Sequence, residues 1–250
     1  MKGDFILDLT KVPTVRRMCP VIFLLDTSGS MDGAPIGAVN AAIEGVLPEL
    51  IDMSDSNADN EIKVAIMAFD SEVRWVTGDS DLITPQELRD RWNDLDADGL
   101  TSMGEAFNEL HNKLSVSHGF MKNASGSVAP VLFLLSDGEP TDDYQYGLNK
   151  LKQNNWYKVA ARVAIGYGDS NDDVLREFTG NKETVLHTNN PKDLKKMIRF
   201  VAVTSSRVAS QGSNAVSDDG TNSPDNNTQN VANAIQAQGG ALNADADEDW

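Results

Sequence analysis

The chain has a single cysteine, Cys19, among its 250 residues. One thiol excludes an intrachain disulfide and any thiolate metal cluster. Its place just ahead of an apolar run reads as a buried structural thiol. Histidine is nearly as scarce: His111, His118 and His187 are scattered, with no spacing that suits a transition-metal site. Positive charge is also short. Lys and Arg number 21 against 38 Asp and Glu, a formal net charge of −17. Binding nucleic-acid phosphate needs clustered Lys and Arg to displace counterions, so no nucleic-acid partner is expected. Cations and basic protein surfaces suit such a chain, beside the plain gain in solubility. No run approaches ~18 continuous apolar residues, so no membrane span is expected. Residues 1–9 include acidic side chains and lack a sustained apolar stretch, which does not read as an export signal. The expected location is the cytoplasm.

What the chain does have is enough apolar residue, 40%, to bury one sizeable core. Short apolar runs alternate with amphipathic stretches. VIFLL at 21–25 and the near-continuous run at 130–135 read as strands buried on both faces. IKVAIMAF at 62–69 is another strand, and Asp70-Ser71 turns into 72–76, an expected antiparallel edge strand. Further strands are expected at 158–165 and 184–186.

The helices expected between them run over 34–53, from Thr84-Pro85 to about 95, 101–114, 141–154, 170–178 and 191–203. Pro35 suits a first turn, whereas Pro48 should kink or end its helix. Strands alternating with helices through right-handed crossovers give an α/β fold, doubly wound, with a mostly parallel Rossmann-like sheet. Three regions follow: an N-terminal extension at 1–17, one domain at 18–204, and an acidic tail at 205–250. The tail is rich in Asn, Ala, Gln, Ser, Asp and Gly and is expected to be disordered. A stretch at 231–241 has helical character interrupted by its Gly pair.

In a doubly wound sheet, ligands bind beyond the C-terminal ends of the strands. Three oxygen-rich segments are candidates for that position: Asp26-Thr27-Ser28-Gly29-Ser30, Asp98-Gly99-Leu100-Thr101-Ser102 and Ser136-Asp137-Gly138. Hard cations take oxygen ligands. Alternate positions of an extended loop point the same way, so Asp26, Ser28 and Ser30 can converge. Thr101 adds a hydroxyl and Asp137 a second carboxylate. Few charges among several hydroxyls leave a cation electrophilic and open to an outside ligand, such as the carboxylate of a partner's Asp or Glu.

DTSGSM after an apolar strand resembles the DxSxS signature of the von Willebrand factor A family and its metal-ion-dependent adhesion site. The Thr101 loop and the Asp137 of SDGEPTDD resemble that site's other two loops. The resemblance implies Ser28, Ser30 and Thr101 as hydroxyl ligands, with Asp26 and Asp137 acting directly or through water. Mg²⁺ is the implied ion, with Mn²⁺ or Ca²⁺ as alternatives. Within the family, CPVIFLLDTSGSMDGAPIGAVN, AFDSEV and LSDGEPTDD are similar to bacterial tellurium-resistance proteins of the TerY type. That similarity implies a non-catalytic cytosolic scaffold in a stress-response system that includes a protein kinase and a metal-dependent protein phosphatase.

Two other functions compete. A metal-dependent phosphoester hydrolase needs a general base or a phosphate-positioning residue, and the three loops contain no His, Lys or Arg. An exported adhesin is the other, and the acidic N-terminus and lone Cys19 count against it. The closing Asp245-Ala246-Asp247-Glu248-Asp249-Trp250 is either a solvated tail or a docking peptide. Oligomeric state is not legible in the sequence.

Overall fold

Strands that are apolar at nearly every position must be covered on both faces. The computed structural model, which describes residues 15–211 and 226–244, meets that need with a six-stranded sheet between two helical layers. The strands are β1 (Arg17–Asp26), β2 (Asn60–Phe69), β3 (Val73–Trp75), β4 (Val131–Ser136), β5 (Ala161–Tyr167) and β6 (Val185–Thr188). Their order across the sheet is β3-β2-β1-β4-β5-β6. All neighbours run parallel except β3, which pairs antiparallel with β2 from Met67–Trp75 to Phe69–Val73. The doubly wound α/β class with one antiparallel edge strand is therefore the fold of this chain.

The helices are α1 (Ala34–Ser56), α2 (Pro85–Arg91), α3 (Met103–Lys113), α4 (Tyr144–Leu151), α5 (Asn155–Val159), α6 (Asp172–Thr179), α7 (Pro191–Gln211) and α8 (Asn226–Ala244). Alternate residues of each strand serve opposite layers. Val21, Phe23 and Leu25 of β1 pack with Phe133 and with α1, α7 and α8. Ile22 and Leu24 face α3, α4 and α6. Cys19 lies fully buried on the first of these faces, and burial pushes its thiol up to about 12. That makes it an inert core residue. By length and apolar content alone, α1 would suffice to cross a membrane. Its Val39, Ala42, Ile43 and Val46 are instead wholly buried in the core.

Three sequence expectations are corrected. First, α1 runs on through Pro48 to Ser56. Pro48 is exposed, and the carbonyl that loses its helical donor belongs to Glu44 on the same exposed face, where water can satisfy it. Buried Val46, Leu47 and Leu50 on either side hold the helix together. Second, the strand expected from 158 begins only at Ala161, because 158–159 belong to the short helix α5, whose first turn is capped by the Asn154 side chain accepting from Trp156 and Tyr157 N–H.

Third, the tail is not wholly without structure: α7 extends to Gln211, and α8 packs into the core through Val231, Ala232 and Ile235. Four small or medium side chains on one face, Thr228 included, are fully or nearly buried there. Average composition hides so narrow a stripe. Residues 1–14, 212–225 and the 245–250 peptide lie outside the described residues.

Helices α3 and α4 meet backbone to backbone. A Cβ on Gly147 would stand 2.2 Å from the Gly104 carbonyl oxygen, and one on Gly104 would stand 2.6 Å from the Asp143 carbonyl oxygen. Neither backbone atom can yield as a side chain would. Gly147→Ala is therefore expected to cost about 2 kcal/mol, as overpacking of a filled site does. The corresponding fall in melting temperature is about 4–8 °C. An unchanged melting curve would show that the two helices separate freely.

Candidate metal centre

β1 is central: the chain winds outward from it to β2 and β3, then returns to its other side as β4. The C-terminal ends of β1 and β4 thus flank the crevice where the connections part, the place open α/β sheets reserve for ligands. β1 ends at Asp26, fully buried, and β4 ends at Ser136, also fully buried. The Ser136 hydroxyl donates to Asp26 Oδ2 at 2.6 Å, and Ser28 N–H donates to Asp26 Oδ1 at 2.9 Å. Extended backbone at Ser28 leads into a single 3-10 turn at Gly29–Met31. That turn brings the Ser28 and Ser30 hydroxyls 3.1 Å apart, and Ser30 donates to Asp137 Oδ1 at 2.7 Å. Gly138 lies against both other loops: a Cβ there would stand 3.6 Å from Thr101 Oγ1 and 3.7 Å from Ser30 Oγ. The structure therefore gathers Asp26, Ser28, Ser30, Thr101 and Asp137 around one crevice.

The loops are fastened to one another mainly through backbone. Gly29 N–H donates to Gly99 C=O, Asp98 N–H to Thr27 C=O, and Ser102 N–H to Asp70 C=O. Thr27 Oγ1 donates to Asp70 Oδ2 at 3.0 Å. Thr101 and Thr141 exchange bonds: Thr101 N–H reaches Thr141 Oγ1 at 3.1 Å, and Thr141 N–H reaches Thr101 C=O at 2.9 Å. Asp142 accepts from Gly104 and Glu105 N–H at 2.8 and 2.9 Å, so a residue of the third loop caps α3. Asp143 caps α4, while Asp142 serves a helix 38 residues earlier. The sequence marks Ser136 only as part of an oxygen-rich segment, without its bond to Asp26, and gives no local signal for the roles of Thr141 and Asp70.

The electrostatics leave the site short of positive charge. Burial pushes the Asp26 carboxyl up to about 6 against the hydrogen bonds from Ser136 and Ser28 that lower it, and the Asp137 charge raises it further. Burial likewise raises Asp137, opposed by the Ser30 hydroxyl. Among the described residues, neither carboxylate has a Lys, Arg or His within ion-pair distance. Nor do three His, Cys, Asp or Glu side chains gather anywhere among them. Two desolvated carboxylates and three hydroxyls around one crevice fit a hard divalent cation: they are oxygen donors with uncompensated negative charge.

Asp32 is exposed, and its carboxylate accepts from Gly33 N–H. Gly166 and Tyr167 are the last residues of β5, paired with His187 and Thr188, and Gly168 at φ +62° opens the turn that follows. His111 is half-buried, and desolvation followed by the Lys150 charge lowers its pKa. His187 Nδ1 lies 3.0 Å from Asp172 and 3.4 Å from Ser170 Oγ. A nucleophile relay needs Ser and Asp on opposite ring nitrogens, so this trio is not one.

The family model of the von Willebrand factor type A domain matches residues 21–200. No curated protein matches the chain. Among solved structures, a von Willebrand factor type A protein from Catenulispora acidiphila aligns with a TM-score of 0.56 at 18% identity, covering 75% of this chain and 42% of that one. Proximal thread matrix protein 1 from the mussel byssus, solved with a zinc-occupied MIDAS motif, aligns with a TM-score of 0.58 at 17% identity, covering 75% and 48%. The vWF domain of a type V pilus tip protein from Porphyromonas gingivalis aligns with a TM-score of 0.59 at 13% identity, covering 78% and 97%. This chain thus spans less than half the length of the first two, and these likenesses concern the fold.

Proposed function

The chain belongs to the von Willebrand factor type A family, and from that premise we propose that it is a cation-dependent protein-interaction module. Domains of this type generally mediate protein–protein contacts and bind divalent cations. Asp26, Ser28, Ser30, Thr101 and Asp137 hold the ion, which is Mg²⁺ in this proposal. The ion supplies an electrophile to which an Asp or Glu of a protein partner binds. Asp26 sits at the back as a fixed, buried negative charge, oriented by Ser136 and the Ser28 backbone. Ser28, Ser30 and Asp137 form the outer arc. Thr101 closes the arc from the third side, its own backbone locked to Thr141. The single observation that carries the proposal is this convergence of two carboxylates without a basic partner on three hydroxyls.

The finer setting we propose is a non-catalytic cytosolic scaffold of a tellurium-resistance-type stress response, with a protein kinase or metal-dependent phosphatase as partner. Similarity of CPVIFLLDTSGSMDGAPIGAVN, AFDSEV and LSDGEPTDD to TerY-type proteins supports it, the first and last of these segments carrying two of the three site loops. Against hydrolysis stands the absence of His, Lys or Arg from those loops. The test is affinity capture from native extract in Mg²⁺ and in EDTA, with wild type and Asp137→Ala. Asp137→Ala is expected to lose at least about 90% of cation-dependent capture, as loss of one charged ligand does, with an unchanged circular dichroism spectrum. Identical capture in every arm would refute the cation's role.

A further inference from the structure

The crevice has a rim, and the rim has its own chemistry. Leu100 is 60% exposed, one of few large apolar side chains so placed among the described residues. It stands directly beside Thr101, which is 5% exposed. Its backbone is pinned: Leu100 N–H donates to Ser71 Oγ at 3.0 Å, and Gly99 takes φ +80° with Ser71 pressed against its open side. The leucine is therefore presented by a braced loop.

Around it the rim is acidic. Asp32, Asp98, Glu139 and Asp143 are all exposed, one or two from each of the three site loops. Segments 26–33, 98–102 and 136–143 contain no Lys or Arg. Among the described residues, none of the four carboxylates joins an ion pair. Their bonds are to neutral groups: Gly33 and Gly99 N–H, the Asn171 amide and Tyr146 N–H.

A lone carboxylate approaching loops that carry these four exposed carboxylates meets like charge. A carboxylate that arrives with cations on either side meets attraction instead, and like-charge juxtaposition is a strong filter against wrong partners. Screening confines the effect to about 8–10 Å at physiological salt, so the cations must lie within a few residues of the carboxylate. Resting on the proposed cation-dependent module, we propose that the partner segment is an Asp or Glu flanked by Lys or Arg, with an apolar residue beside it that packs on Leu100. The same filter disfavours the chain's own Asp245-Ala246-Asp247-Glu248-Asp249-Trp250 end as an occupant, in this copy or another.

Four labelled peptides test it by fluorescence anisotropy on the full chain, in Mn²⁺ and in EDTA: Lys-Lys-Leu-Asp-Leu-Lys-Lys, its glutamate-flanked counterpart, a version with Ser for Leu, and one with Asn for Asp. Calorimetry of Mn²⁺ alone runs beside them. The lysine-flanked peptide is expected to bind at least about tenfold tighter than the glutamate-flanked one, and only with Mn²⁺. Asp98→Lys with Glu139→Lys should erase that preference, and Leu100→Ser should weaken the leucine peptide to the level of the serine version. Mn²⁺ affinity should stay within about threefold of wild type in Leu100→Ser, which changes no charge, and the double lysine variant is compared at saturating Mn²⁺, because reversed rim charges also oppose the cation.

Equal binding of the lysine and glutamate peptides, or no binding of either to the Mn²⁺-loaded protein, overturns the rim proposal. Equal binding of the Asn and Asp versions overturns it as well, because attraction would then bypass the cation. A wild-type protein that takes up no Mn²⁺ overturns the underlying metal centre instead, a separate failure.

Discussion

Asp26→Asn is expected to make the cation-free protein more stable at neutral pH while abolishing its thermal response to Mg²⁺. In the unfolded chain this carboxyl titrates near 3.8; folded, burial pushes it to about 6. The folded state therefore holds the Asp26 proton more tightly than the unfolded chain does. Its contribution is most favourable below 3.8 and is lost as pH rises through 6. Above that, the ionised group costs roughly 3 kcal/mol relative to acid conditions.

Asparagine keeps an oxygen for Ser28 N–H and offers an amide donor to Ser136 Oγ in place of the accepted bond. It also removes the repulsion with Asp137. Reorganised hydrogen bonds consume part of the gain, leaving about 1–2 kcal/mol, or about 2–8 °C in melting temperature. Wild type should regain the same ground when Mg²⁺ neutralises the site, more at pH 7.5 than at pH 5, where the ion must displace a proton. Melting curves in EDTA and in millimolar Mg²⁺ at both pH values read all of this. An asparagine variant that melts below wild type in EDTA would mean that the ionised carboxylate stabilises the fold. A Mg²⁺ shift that survives the substitution would remove Asp26 from the cation's surroundings.

What made the site loops legible is that their oxygens come in local patterns: alternate positions after an apolar strand, and Asp137 directly after another. The strand at 21–25 and the loop at 26–30 are adjacent in sequence, so period and turn chemistry place Asp26, Ser28 and Ser30 without knowledge of the fold. Thr141 and Asp142 belong to a different kind of information. Their partners, Thr101 and the first turn of α3, lie about 40 residues upstream, and nothing local distinguishes a residue that caps its own helix from one that caps another. Pro48 was misread for the same reason. A proline is a breaker on local grounds, yet Val46, Leu47 and Leu50 hold the helix through it by contacts with distant segments. Tertiary packing overrides propensity in each case.

The same limit concealed α8, and there it carries the largest stability effect expected in the chain. Val231→Asp should lower stability by about 3–5 kcal/mol, as burial of an unpaired charge does. Val231 and Ala232 are wholly buried, Thr228 is 1% exposed and Ile235 5%. These positions lie on one side of a helix with three- and four-residue spacing. The docking is polar as well as apolar. Thr228 Oγ1 donates to Ala160 C=O at 3.1 Å and accepts from Arg162 N–H at 3.2 Å, and Asn227 Nδ2 donates to Val159 C=O at 2.7 Å. Those bonds satisfy backbone at the start of β5, the end of the sheet away from the crevice.

An aspartate at 231 cannot be buried there without a partner, so the helix detaches. The loss is then bounded by its docking energy: two aliphatic side chains at about 1.5–3 kcal/mol each, with the hydrogen bonds besides. The expected fall in melting temperature is about 10 °C. Asn233→Asp, on the exposed side of the same helix, should leave melting within about 1 °C, surface changes being nearly neutral. Because α8 grips the far end of the sheet, the Mg²⁺-induced shift should persist in Val231→Asp on the lowered baseline. Equal melting of the two variants would show that α8 contributes nothing to the fold. A lost Mg²⁺ shift would show that the two ends of the sheet are coupled.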